Sequence, residues 1–130
     1  MHREKAHSMP ILDVEIVTPL GEQFRPTLAK ELADTVGLIL ESRPVSTWVR
    51  IRTILAEQYA EGPGAGPAVF PVFVHVLKAA LPDPDAMQPE VARLTSAVAE
   101  LCGRPSQNVH ILYQPEGRGR VAFGGKLVQE

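Results

Sequence analysis

Two stretches decide the fold: Pro10-Ile11-Leu12-Asp13-Val14-Glu15-Ile16-Val17 and Pro71-Val72-Phe73-Val74-His75-Val76-Leu77-Lys78. In the first, Leu12, Val14 and Ile16 fall on one face and Asp13 and Glu15 on the other, the period of a strand with one buried side. In the second, Val72, Val74 and Val76 alternate with Phe73, His75 and Leu77, so a strand over 69–78 is apolar on both faces. Each stretch opens at a proline, and the two prolines stand 61 positions apart. The same interval separates Arg43-Pro44 from Arg104-Pro105, and each of these pairs follows a helical pattern. The first helix is expected over 22–40, striped by Leu28, Leu32, Val36 and Leu40 with Ile39 beside them, and with Pro26 near its start, where a missing N–H is tolerated. The second is expected over 86–102, striped by Val91, Leu94, Val98 and Leu101. Further strands are expected over 48–55 and 109–113, and the Gly/Pro run over 61–67 reads as a loop. Coincident anchors and matching periods define an internal repeat, with copies over 10–60 and 69–130.

A β-α-β crossover places its two strands parallel in one sheet with the helix on one face. Two such units predict an α+β fold: a tandem β-α-β repeat forming a four-stranded sheet with both helices on the same side. The opposite face is then bare, although the third strand is apolar there too. Self-association is the expected cover.

Composition limits the function classes. The chain has 130 residues, 45% hydrophobic and 22% charged, which fits one globular domain over 10–130. A net charge of −2 argues against electrostatically driven nucleic-acid binding. Cys102 is the only cysteine, so no intrachain disulfide forms and a cytoplasmic setting is expected. No apolar run is long enough to cross a bilayer, so no membrane partner is expected. Residues 1–9 read as a leader without the apolar stretch of a secretory signal. His2, His7, His75 and His110 show no metal-ligand spacing, and no metal or cofactor is expected. Cys102 ends a helix stripe and reads as core. Gly117-Arg118-Gly119-Arg120 is a basic turn lacking the ending of a phosphate loop; it either reaches a site or is solvated.

The whole pattern from Met9 onward resembles the tautomerase superfamily, including 4-oxalocrotonate tautomerase, macrophage migration inhibitory factor, and the fused cis-3-chloroacrylic acid dehalogenase and malonate semialdehyde decarboxylase branches. The resemblance rests on Met9-Pro10-Ile11, Trp48-Val49-Arg50-Ile51, Phe73-Val74-His75, Val109-His110-Ile111 and Gly124-Gly125-Lys126-Leu127. It implies a homotrimer whose site begins at an N-terminal proline and takes a small 2-oxo or 2-hydroxy carboxylate. A free proline is a secondary amine, and an apolar pocket and nearby cations disfavour its protonated form. It can then move a proton between carbon and oxygen beside a carbonyl. Arg50 resembles the family's strand arginine, and Arg52 shares its face. The pair reads either as a carboxylate clamp or as solvated or intersubunit ion pairs. His75, Tyr113, Arg120 and Phe123 are further pocket candidates, with strand packing, trimer packing, solvation and hairpin packing as their respective alternatives.

Several positions depart from the family pattern. Leu20 stands near the first-loop arginine of 4-oxalocrotonate tautomerase, which argues against dicarboxylate recognition there. Ala79 and Pro82 stand near the dehalogenase arginine pair, which argues against dehalogenation. Val121 takes the place of the aromatic before the terminal hairpin, with Phe123 two residues on. Pro10 itself is internal to the 130-residue chain, and an acylated proline nitrogen is no base. Translation from Met9 with that methionine trimmed is the expectation; removal of the leader and loss of proline chemistry are the alternatives. On the same scaffold, hydration or decarboxylation of a 3-oxo acid, or a non-catalytic trimeric binding protein with Pro10 blocked, competes with tautomerisation.

Overall fold

Strand β1 (Pro10–Thr18) is paired on both sides, in parallel with β2 (Trp48–Leu55) and antiparallel with β3 (Val72–Lys78). Strand β4 (Val109–Tyr113) joins β3 in parallel, giving the order β2-β1-β3-β4. Helix α1 (Leu28–Ile39) connects β1 to β2 and helix α2 (Pro84–Cys102) connects β3 to β4. A small hairpin, β5 (Ala122–Phe123) and β6 (Lys126–Leu127), follows. This computed structural model describes residues 9–66 and 68–129. The leader expected over 1–9, apart from Met9, lies outside these residues, as do His2, His7, Pro67 of the Gly/Pro loop and Glu130.

Each element follows from its residues. Leu12, Val14 and Ile16 of β1 are at most 1% exposed and face the helices, as does the row Val72, Val74 and Val76 of β3. Leu28, Leu32, Val36 and Leu40 meet them from α1, and Leu94, Val98, Ala99 and Cys102 from α2. Burial raises the Cys102 thiol to about 11, so it is protonated at neutral pH and acts as a small core residue. Ile11, Asp13, Glu15, Phe73, His75 and Leu77 lie on the open side and are partly exposed. Among the described residues, no helix is long and apolar enough to cross a membrane.

Three boundaries and one register differ from the sequence reading. Helix α1 begins at Leu28 rather than near residue 22. Pro26 disfavours helical geometry in the residue before it, and Glu22 is engaged elsewhere, as the double partner of Arg104. Helix α2 begins at Pro84, two residues before 86, because proline is tolerated in a first turn. Strand β3 begins at Val72, so Pro71 precedes its strand whereas Pro10 lies inside β1. The repeats therefore match structurally at a spacing of 62, one more than the proline anchors indicate: the buried series Leu28, Leu32, Val36, Leu40 recurs as Glu90, Leu94, Val98, Cys102. A shift of one reverses every strand side chain, so only the even spacing keeps helix-facing rows together.

Candidate active site

The open face of the sheet carries a cavity of about 470 Å³ near the start of β1. Ile11 and Asp13 of β1, Arg50 of β2, and His75 and Leu77 of β3 form its floor. Its wall is the segment after β4, from Gln114 to Gly117 with Arg120 and Val121. Backbone hydrogen bonds hold that wall: Gln114 N–H donates to Val76 O at 2.8 Å, and Gly117 N–H to Lys78 O at 2.8 Å. The Leu81 N–H donates to Glu116 Oε2 at 2.7 Å.

Strand register decides the charge of the floor. Asp13 is the Cα partner of Arg50, and Glu15 of Arg52. Arg50 donates from Nε to Asp13 Oδ1 at 2.7 Å and from Nη2 to Oδ2 at 3.0 Å, a bidentate pair. That hydrogen bond raises the guanidinium pKa further. Arg52 donates a single hydrogen bond, from Nη2 to Glu15 Oε2. Both arginines thus share the open face, and each is already matched by a carboxylate of the neighbouring strand. Neither a free clamp nor an intersubunit pair is needed to account for them. Arg120 also lines the cavity and makes no ion pair among the described residues.

His75 lies on the cavity floor with Nδ1 3.3 Å from Gln114 Nε2 and Nε2 3.7 Å from Glu15 Oε1. Three other expected pocket residues, Arg52, Phe123 and Tyr113, do not line this cavity. Arg52 is one pleat too far along β2. Phe123 stacks edge-on against Trp48, with centroids 5.0 Å apart, and so packs the hairpin onto the sheet. Tyr113 faces α2, where its hydroxyl donates to Glu90; strand alternation puts it on the opposite side of the sheet from His110 and Leu112. Val121 does line the cavity. A second groove, of about 490 Å³ around Leu38, Arg43 and Val45, holds none of the candidates.

Pro10 is buried at the first position of β1 and opposes Lys78 of β3. Met9 is 2% exposed. A Cβ added at Gly117 would meet Met9 Cε at 2.8 Å, Val121 Cγ2 at 3.1 Å and Leu77 Cδ1 at 3.4 Å. The Met9 side chain therefore ends beside three cavity-lining residues, Gly117, Val121 and Leu77. Sequence reading missed Asp13, Gln114 and Glu116 as cavity groups, and Lys78 and Glu90 behind Pro10. For the last two a signal existed: each interrupts an otherwise apolar helix-facing row. Among the described residues, no group of three or more His, Cys, Asp or Glu side chains is arranged to hold a metal ion.

The architecture is that of the tautomerase-superfamily fold. A fused 4-OT described as a wild-type symmetric trimer matches with a TM-score of 0.73 and 16% identity, over 91% of this chain and 94% of that one. The macrophage migration inhibitory factor from Trichinella spiralis matches with a TM-score of 0.69 and 17% identity, over 90% and 98%. Pt0534, described as inactivated by 2-oxo-3-pentynoate, matches with a TM-score of 0.72 and 13% identity, over 91% and 94%. No family model matches the sequence, and no curated protein matches it.

Proposed function

We propose that the chain beginning at Pro10 is a tautomerase that moves a proton within a small 2-oxo or 2-hydroxy carboxylate, with the Pro10 amine as base. The observation that carries this is the burial of Pro10 at the start of β1, immediately before Ile11, which lines a cavity with Arg50, His75 and Arg120. Without Met9 the nitrogen becomes a secondary amine, and the space that the methionine fills joins the cavity. The amine takes a proton from the carbon next to the carbonyl, the electron pair moves into an enolate, and the proton returns to oxygen; the reverse order converts enol to ketone. Arg120, free of an ion pair among the described residues, binds the carboxylate. Arg50, with one side committed to Asp13, stabilises the enolate oxygen from the floor.

A second reading is supported by Met9 itself. In the 130-residue chain its burial and the acyl group on Pro10 favour a non-catalytic protein with a blocked proline. A covalent probe separates the two. In 2-oxo-3-pentynoate the alkyne accepts a secondary amine: an N–C bond forms and the amine proton moves to the adjacent carbon. Intact-mass measurement of the Pro10-start chain should show one added probe, located at Pro10, and the full chain should show none. A Pro10-start chain left unlabelled, or labelled only elsewhere, rules out the amine as the reactive group.

We also infer a homotrimer. The open face exposes Leu112 at 41% and Trp48 at 51%, and leaves Phe73 partly covered by Tyr59 and His110. The fused 4-OT with the same fold is described as a trimer. Sedimentation should report three chains at micromolar concentration. Phe73→Ala should weaken assembly and stability together by about 2–5 kcal/mol; a stable monomer in the unsubstituted protein would contradict the trimer.

A further inference from the structure

On the helix-facing side of the sheet, one set of polar groups is explained neither by packing nor by the cavity. Lys78, 5% exposed, ends β3 with Nζ 3.1 Å from Oε1 of Glu90 on α2, itself 8% exposed. The Tyr113 hydroxyl donates to the other oxygen of Glu90. Burial and then that hydrogen bond raise the Tyr113 pKa, so it remains a donor at neutral pH. At the structural spacing of the repeats, the matching residues of the first copy are Ile16, Leu28 and Ile51, all apolar, the first two in the core and Ile51 packed against it. The same positions are thus built without charge one repeat earlier. Replacing a buried ion pair with well-packed apolar residues is often neutral or stabilising, so the fold does not require this one.

Its location suggests a role. Lys78 is the cross-strand partner of Pro10, and opposed residues of an antiparallel ladder have Cα atoms roughly 4.5–5.5 Å apart. Both belong to the buried, helix-facing row, where β1 and β3 carry no other charge. From β4 that side receives Tyr113 and from α2 it receives Glu90; Asp83 and Asp85 stand at the exposed start of α2. On the open side the titratable groups around the cavity are Asp13, Arg50, His75, Glu116 and Arg120.

We propose that Lys78, held by Glu90 and Tyr113, is a positioning residue for Pro10: its ammonium stands on the buried side of the N-terminal amine and keeps that amine unprotonated. The inference rests on Pro10 being the base, as proposed above. Both charges lie on the buried, helix-facing side, Nζ 3.1 Å from Glu90 Oε1, and of the two it is the cation that opposes a second positive charge on the amine. A positive charge in a poorly solvated setting disfavours a second one beside it.

The test is a titration of the Pro10-start chain, which retains every strand and helix of the fold. The Pro10 amine is followed by NMR with nitrogen-labelled proline, beside the pH–rate profile on phenylpyruvate. Lys78→Met should raise the amine pKa by about one unit and move the acid limb of kcat/KM up with it. Glu90→Gln should move both down, and Lys78→Arg should stay near the parent. Shifts of the same sign in Lys78→Met and Glu90→Gln, or none in either, overturn the proposal. If these variants do not fold, the double replacement Lys78→Ile with Glu90→Leu installs the first repeat's residue types. It should raise the pKa, and an unchanged value is equally fatal. A parent whose amine responds to Lys78 without turning over substrate would sink the tautomerase reading alone. Turnover with an amine indifferent to Lys78 would sink this inference alone.

Discussion

The chain beginning at Pro10 is expected to tautomerise phenylpyruvate roughly 10²–10⁴-fold faster than the full 130-residue chain, the usual contribution of a positioned general base. The difference is one of nitrogen chemistry. In the full chain the Pro10 nitrogen is an amide with no basic lone pair, and Met9 is buried beside Gly117, Val121 and Leu77. Without Met9 that nitrogen is a secondary amine, one residue before Ile11 of the cavity floor. Activity of the short form should rise with pH through the amine's pKa, since only the deprotonated amine accepts the proton. Pro10→Ala in the short form replaces the secondary amine with a primary one and should lower the rate, with part of it retained. Steady-state assays of the two chain lengths side by side decide the matter, and equal rates would remove Pro10 from the mechanism.

Arg104→Ala should lower the unfolding free energy by about 3–5 kcal/mol, the range for breaking a buried ion pair by removing one partner. The Arg104 side chain is 8% exposed and that of Glu22 27%. Its two terminal nitrogens donate to the Glu22 carboxylate at 2.9 and 2.7 Å, while Nη2 also donates to Val17 O at 2.9 Å and Nε to Phe70 O at 2.7 Å. One guanidinium thus ties the end of α2 to the end of β1 and to the segment entering β3. Its loss strands a carboxylate and two carbonyls together. Urea unfolding should show a lower midpoint with little change in slope. By contrast, Lys30→Ala should change stability by no more than about 1 kcal/mol, because the Lys30–Asp34 pair is 75% and 60% exposed. A loss at Arg104 no larger than that at Lys30 would show that the clamp is solvated in solution.

The secondary structure was legible because its signal is local. Alternation over Leu12, Val14 and Ile16 places β1 regardless of its neighbours, and the boundaries of β2 and β4 agree with the expected 48–55 and 109–113. The duplicated β-α-β order then leaves few sheets to choose from, so the four-stranded sheet and its bare face followed. The anchors themselves were less informative. Arg104 is a clamp with its side chain 8% exposed, whereas Arg43, its match at the anchor spacing of 61, is exposed, and at the structural spacing of 62 the matching residue is Ser42. No local pattern distinguishes the two.

What the sequence determined by itself is the set of strands, helices and faces: Arg50 and Arg52 had to share a side, and Pro10 had to open the first strand. Only the tertiary structure decided what those side chains meet. Asp13 reaches Arg50 because β1 and β2 pair in one particular register, across residues far apart in the chain. Tyr113 turns to Glu90 rather than to the cavity because β4 pairs with β3 so that Val109, Ile111 and Tyr113 face α2. Met9 lies against Gly117 because the segment after β4 folds back over the start of β1. Periodicity is written in neighbouring residues, whereas a site is assembled from strand partners and loop closures whose register is fixed by the packing of the whole sheet.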